Sequence, residues 1–283
     1  MVRRPQWITA AVAVGLVVCV YATTVNRIFG NNVKKIAEEG HSTASVITID
    51  SILVHAKENL TPAQETRLSF LENSISRGDV LVQKIHVFHQ LARFWSDSVR
   101  AFEPYGWYTA EAARLENSEK SLTFAAHLFL ENLKGEENPA LKQWKALQAK
   151  DLFERSLKVS RHNDSSEVGL GAVYLYGGIG TPMEGIQKIR KVAEEHPDNI
   201  YAQMTLGHAS AISGQFDKGA ERFENVLKLQ PDNLEAVLSL ADVYERSGEK
   251  IKAIKWYKAS LALINIPGLK QEVERRIIEL EKK

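Results

Sequence analysis

Residues 180–187 read GTPMEGIQ, and Gly180 and Gly185 stand five apart. That is the glycine spacing of a phosphate-cradling loop. Such a loop also needs a lysine after its last glycine, to meet phosphate charge, and a hydroxyl to hold magnesium. Ile186 and Gln187 follow Gly185 instead, and the preceding run EVGLGAVYLY reads as helix rather than strand. No nucleotide is therefore expected. The same stretch reads as a helix start, with Thr181 as N-cap, Pro182 in the first helical position and Glu184 completing a capping box. Gly177, Gly178 and Gly180 would end the preceding helix with permissive φ values.

The other chemistry-bearing residues are equally sparse. His86 and His89 lie three apart and share a helical face, but no HExxH or comparable carboxylate partner accompanies them. His127 and His208 are isolated in sequence, and all four histidines are read as structural. No GxSxG nucleophile motif occurs, and the single cysteine, Cys19, lies in an apolar run. One cysteine excludes an internal disulfide and a cysteine-based zinc site. The 36 basic and 35 acidic residues leave a net charge of +1, which gives no footprint for nucleic acid. The expectation is a protein that is not an enzyme and holds no metal or cofactor.

The elements that must carry any binding function begin with an apolar terminus. No charged residue occurs between Arg4 and Arg27, and residues 7–25 are long enough to cross a hydrocarbon core of roughly 30 Å. Trp7 and Tyr21 suit the interfacial belts. The favoured reading of residues 1–30 is a single membrane anchor in contact with the lipid bilayer. A cleaved signal peptide is the alternative, with Arg3 and Arg4 as its basic end and Val20-Tyr21-Ala22 as the cleavage site. Basic residues flank both sides of the span (Arg3 and Arg4 before it, Arg27, Lys34 and Lys35 after). A short Arg-Arg tail usually stays inside, which places the body outside the cytoplasm.

Residues 31–60 read as a linker. Thr61-Pro62-Ala63-Gln64 has the threonine cap, first-turn proline and glutamine of a helix start, and that helix ends near Arg77-Gly78. A second helix is predicted over 79–99, with Leu81, Ile85, Phe88, Leu91, Ala92 and Trp95 on one face. Three tandem 34-residue blocks then fill 166–199, 200–233 and 234–267, two of them ending in Pro-Asp-Asn. In the second block Leu206-Gly207 fall at positions 7 and 8, Phe223 at 24 and Pro231 at 32. In the third, Leu240-Ala241, Tyr244, Ala253 and Tyr257 fall at 7, 8, 11, 20 and 24. The first fits more loosely, since Val173 occupies the small-residue position 8.

This pattern resembles the tetratricopeptide repeat family, and specifically its membrane-anchored bacterial members, which implies a single-pass bacterial inner-membrane protein with the repeats in the periplasm. Weaker copies thread through 85–118 (Leu91-Ala92, Trp95, Tyr108) and 119–165 (Leu122, Ala125-Ala126, Phe129). In the latter a long loop, LKGEENPALKQW, precedes a second helix around Ala149 and Phe153. Residues 268–283 read as a charged amphipathic cap. The implied fold is an all-α solenoid of paired antiparallel helices: degenerate units over 61–165, three full repeats over 166–267 and a capping helix, behind one N-terminal transmembrane helix.

The resemblance implies protein binding on the concave surface, at positions 2, 5, 9, 12 and 13 of each first helix. Carried over, these are Glu167, Leu170, Tyr174, Gly177 and Gly178, then Tyr201, Met204, His208, Ala211 and Ile212, then Glu235, Leu238, Asp242, Glu245 and Arg246. The expected partner is a protein or peptide segment with apolar anchors and some basic character. The lysine and asparagine clamp for a C-terminal carboxylate is absent, because position 5 is Leu170, Met204 and Leu238. A client-recognition subunit of an envelope assembly or secretion machine, and a self-associating structural protein, remain as alternatives.

Overall fold

Asparagine sets where the repeats begin. Asn163, Asn199 and Asn233 each cap a helix, their side-chain oxygens accepting from the N–H groups of Ser166 (3.0 Å), Ala202 (3.0 Å) and Ala236 (2.9 Å). Each bond satisfies one of the four N–H groups that a helix start leaves orphaned. The helices after these caps start at Asp164, Ile200 and Leu234, thirty-six and then thirty-four residues apart.

The computed structural model describes residues 47–77 and 80–282. The apolar run at 7–25, and with it the membrane anchor or signal peptide expected there, lies outside the described residues. Among the described residues no helix is long and apolar enough to cross a membrane.

Thirteen α-helices are described: α1 Ile49–Lys57, α2 Pro62–Arg77, α3 Leu81–Arg93, α4 Phe102–Glu116, α5 Glu119–Lys134, α6 Pro139–Val159, α7 Asp164–Tyr176, α8 Pro182–Glu195, α9 Ile200–Ile212, α10 Phe216–Leu229, α11 Leu234–Arg246, α12 Lys250–Ser260 and α13 Pro267–Lys282. They pack as successive hairpins, α3 on α4, α5 on α6, α7 on α8, α9 on α10 and α11 on α12, with α13 closing against α12. The first helices also touch each other along the series, α5 with α7, α7 with α9 and α9 with α11. These four therefore form one inner row. A lone hairpin cannot bury its apolar faces, so the stack is what makes the core continuous.

Close approach within a hairpin is set by small residues. A Cβ added to Gly207 would stand 2.5 Å from Phe223 Cε1, so the ring of the second helix lies where a larger residue on the first would be. Phe223 is fully buried. In the first full repeat the same role falls to Gly171, not Val173: a Cβ there would meet Ile189 Cγ1 at 2.5 Å and the Gly185 carbonyl oxygen at 2.8 Å. Leu170-Gly171 is thus the counterpart of Leu206-Gly207. The frame over α7 runs two residues ahead of the expected block, and the two extra residues sit in the longer loop 177–181.

That loop also departs in detail from the expected capping. Thr181 caps α8, its hydroxyl oxygen accepting from the Glu184 N–H at 3.3 Å. Among the described residues no bond returns from the Thr181 N–H to the Glu184 carboxylate, so half of the capping box forms. Gly178 and Gly180 have φ of 65° and 74°, as a chain reversal requires. Gly177 has an ordinary φ of −85° and is there for space, since an added Cβ would lie 2.6 Å from Ala146 Cβ.

Three further segments differ from expectation. Residues 49–57, within the expected linker, form α1, started by reciprocal bonds between Thr48 and Ser51. The expected long loop over 133–144 shrinks to 135–138, because Asn138 caps α6 through the N–H groups of Ala140 and Leu141 and Pro139 takes its first turn. The helix expected over 79–99 is α-helical only to Arg93. Phe94–Val99 forms a π-helical segment that ends on Arg100 at φ 61°. At Thr61 the full capping box is present: the Thr61 N–H donates to Gln64 Oε1 at 2.9 Å and the Gln64 N–H donates back at 3.4 Å.

A buried polar network fixes the register of the two central hairpins. Thr123 Oγ1 lies 2.8 Å from Ser156 Oγ and 3.0 Å from Ser166 Oγ, and Asn163 Nδ2 donates to Thr123, Ser156 and Glu119. Ser156 and Ser166 are fully buried, and every member of the network is bonded. A satisfied network of this kind holds one arrangement, because a slip would leave polar groups unpaired.

Candidate partner-binding groove

The inner row lines an open cavity of about 480 Å³. Helix α5 contributes Glu131 and Lys134, α7 contributes Ala172 and Tyr176, α9 contributes Ile200, Tyr201, Met204, Thr205 and His208, and the start of α11 contributes Asn233 and Glu235. Four expected groove residues, Tyr201, Met204, His208 and Glu235, come together here.

The other expected positions lie elsewhere. In the frame set by Gly171, the groove positions of α7 move from Glu167, Leu170 and Tyr174 to residues that include Ala172 and Tyr176. Leu170 and Tyr174 are buried in the core shared with α5 and α6. Glu167 reaches the Lys188 ammonium on α8 at 3.7 Å. Leu238 packs towards Ile264, Val273 and Ile277. Asp242 pairs with Arg246 at 3.5 Å, and the Arg246 guanidinium stands 5.1 Å from the Phe216 ring centroid in a separate cleft between hairpin turns. Glu245 binds Arg276 of the capping helix and accepts from Tyr257 Oη at 3.0 Å. Gly177, Gly178, Ala211 and Ile212 do not line the cavity.

Glu131, Lys134 and Tyr176 were not among the expected groove residues. Glu131 had a signal: it falls at position 13 of the copy that starts at 119. Tyr176 was hidden by the two-residue shift.

The cavity has an ordered electrostatic arrangement. Lys134 Nζ lies 2.8 Å from Glu131 Oε1 and 5.8 Å from the Tyr176 ring centroid. His208 Nε2 lies 3.2 Å from Glu235 Oε1, and this bond is the main reason the Glu235 carboxyl sits below its ordinary pKa. Burial, helped by Glu131 and Glu235, pushes the Tyr176 phenol up to about 12. Burial also raises Tyr201, with Glu131 and Tyr176 adding to it. Both phenols therefore keep their protons at neutral pH. The Tyr201 hydroxyl is buried and has no hydrogen-bond partner among the described residues.

The remaining histidines are engaged separately. His86 bonds Gln90 and His89 bonds Glu116. His127 meets Ser165 Oγ at 2.8 Å between the rings of Phe153 and Tyr201, where burial lowers its pKa. Among the described residues no group of three or more histidines, cysteines or carboxylates is placed to hold a metal.

The stacked hairpins, glycine-to-aromatic contacts and capping helix define a tetratricopeptide-type fold. PilW, a type IV pilus biogenesis factor, is similar in backbone, with a TM-score of 0.52 and 17% identity over 70% of this chain and 86% of PilW. Residues 41 to the end of MamA from Desulfovibrio magneticus RS-1 match with a TM-score of 0.44 and 20% identity, over 63% of this chain and 94% of that one. YrrB, described as a TPR protein with an unusual peptide-binding site, matches at 0.43 and 16% identity, over 72% of this chain and 97% of YrrB. No family model and no curated protein matches the sequence. Identities this low establish the fold alone.

Proposed function

We propose that the chain is a non-catalytic interaction scaffold whose inner groove holds an extended or helical segment of another protein. The carrying observation is the 480 Å³ cavity at the meeting of α5, α7, α9 and α11, where Met204, Tyr176 and Tyr201 stand beside Glu131, Lys134 and Glu235. Apolar and aromatic surface supplies anchoring area, and a few fixed polar groups supply orientation. Residues 7–25 would tether this scaffold to a bilayer with the repeats outside the cytoplasm.

Filling the groove tests the reading. His208→Trp adds bulk at a half-exposed cavity position. It is expected to abolish retention of co-purifying partners by the full-length, detergent-solubilised protein while the helical circular dichroism stays unchanged. An unaltered partner set would overturn the groove assignment.

A further inference from the structure

We infer that the groove receives an arginine side chain from the bound segment, with the Glu131 and Glu235 carboxylates taking the guanidinium over the Tyr176 ring and the Tyr201 oxygen accepting a further hydrogen bond. This rests on the groove being the partner site.

Three observations lead there. First, the site already holds a cation of this chain. The Lys134 ammonium is bonded to Glu131 and lies over the Tyr176 ring, so carboxylate and aromatic face together form a receptor for positive charge. Second, the cavity walls carry two carboxylates, Glu131 and Glu235, against one lysine, and among the described residues the only other partner in the lining is His208, 3.2 Å from Glu235. An incoming carboxylate would meet repulsion here and an incoming cation would not. Third, the buried Tyr201 hydroxyl lacks a partner among the described residues. Leaving such a group unpaired is costly, and because a phenol oxygen accepts as well as its O–H donates, a donor on the occupant can pair with it.

Arginine fits these demands better than lysine. Its planar guanidinium has five donors, pairs with carboxylates in a bidentate manner and stacks on aromatic rings. Lysine is a point charge with three donors, and Lys134 already supplies one. Lys134 then acts as an internal competitor: it occupies Glu131 and the Tyr176 face until an arginine displaces it.

The test uses the full-length protein and fluorescent twelve-residue peptide pools that lack Arg and Lys elsewhere. The central residue is arginine, citrulline or norleucine, citrulline being the uncharged isostere. Binding is read by anisotropy. The arginine pool is expected to bind about tenfold more tightly than the citrulline pool, as loss of a charge-assisted hydrogen bond implies. The double variant Glu131→Gln with Glu235→Gln should erase that preference, and Lys134→Met should strengthen arginine-pool binding several-fold. A merely structural Lys134 would not give that gain.

If all three pools bind equally and His208→Trp abolishes the binding, the groove stands and the arginine assignment falls. Retention of the arginine preference in the double glutamine variant also overturns it. Binding untouched by His208→Trp, or no binding by any pool, removes the groove reading and this inference with it.

Discussion

Replacing Gly185 by alanine is expected to destabilise the solenoid by about 2–3 kcal/mol. In an unhindered helix the same change is worth roughly 1 kcal/mol in the opposite direction, because alanine is the better helix former. The sign reverses here because the new Cβ would lie 2.3 Å from the Gly171 carbonyl oxygen and 3.0 Å from Tyr174 Cβ. The first obstacle is backbone, which cannot rotate aside, so α7 and α8 must separate. Gly135, where an added Cβ meets nothing within 4 Å, is the control. Urea denaturation of the two variants checks the claim. A Gly185→Ala protein as stable as wild type would show that the crossing is looser than described. The outcome also bears on the 180–187 stretch. Gly185 shares its spacing with a nucleotide loop, yet its absent side chain makes room for a neighbouring helix.

Phe223→Ala is expected to cost about 3–5 kcal/mol, as for other fully buried aromatic truncations. The Phe223 ring lies against Gly207 and makes an edge contact with His208 at 5.1 Å between centroids, so its removal empties the α9–α10 junction. Because a repeat stack holds together through neighbour contacts, the loss should be felt regionally. Hydrogen exchange should show α9 to α12 losing protection first, while α3 to α6 keep theirs. A cost below about 1 kcal/mol would contradict the packing role assigned to this ring. The groove shares α9 with this junction, so the variant should also lose partner binding.

Much of this architecture was legible because repeat proteins reuse the same local signals. The Pro-Asp-Asn endings place Asn199 and Asn233 as caps, and Leu206-Gly207 with Phe223 marks where two helices touch. The first full repeat departs from the thirty-four-residue frame for a physical reason. Counting back thirty-four residues assumes a constant hairpin, but the turn around Gly178 and Gly180 takes two more residues than the turns at Gly214 and Gly248. A surface turn absorbs such an insertion at little cost, whereas the helix crossing does not. Leu170-Gly171 carried the correct frame, and the apolar run around it obscured the choice.

The groove was half legible for the same reason. Tyr201, Met204, His208 and Glu235 follow from repeat position once the frame is right. Tyr176 needed the two-residue correction, and Glu131 needed the groove positions to be extended into a degenerate copy. The π-helical segment at Phe94–Val99 had no such signal. Its residues fit an amphipathic α-helix up to Trp95, and a wider turn is set by packing rather than by residue type. Helix α1 carries little sequence signal, because nine residues give too few turns for a helical period to stand out.

The central claim is that partners enter the inner groove, and site-specific photo-crosslinking tests it most directly. A benzoylphenylalanine at position 131 stands at the exposed rim of the cavity, where it leaves the groove open, and one at position 221 is exposed on α10, the second helix of the α9–α10 hairpin. Irradiation of cells carrying the full-length protein is expected to join a partner segment to position 131 and not to position 221. Adducts formed at 221 alone, or equally at both, would contradict the account.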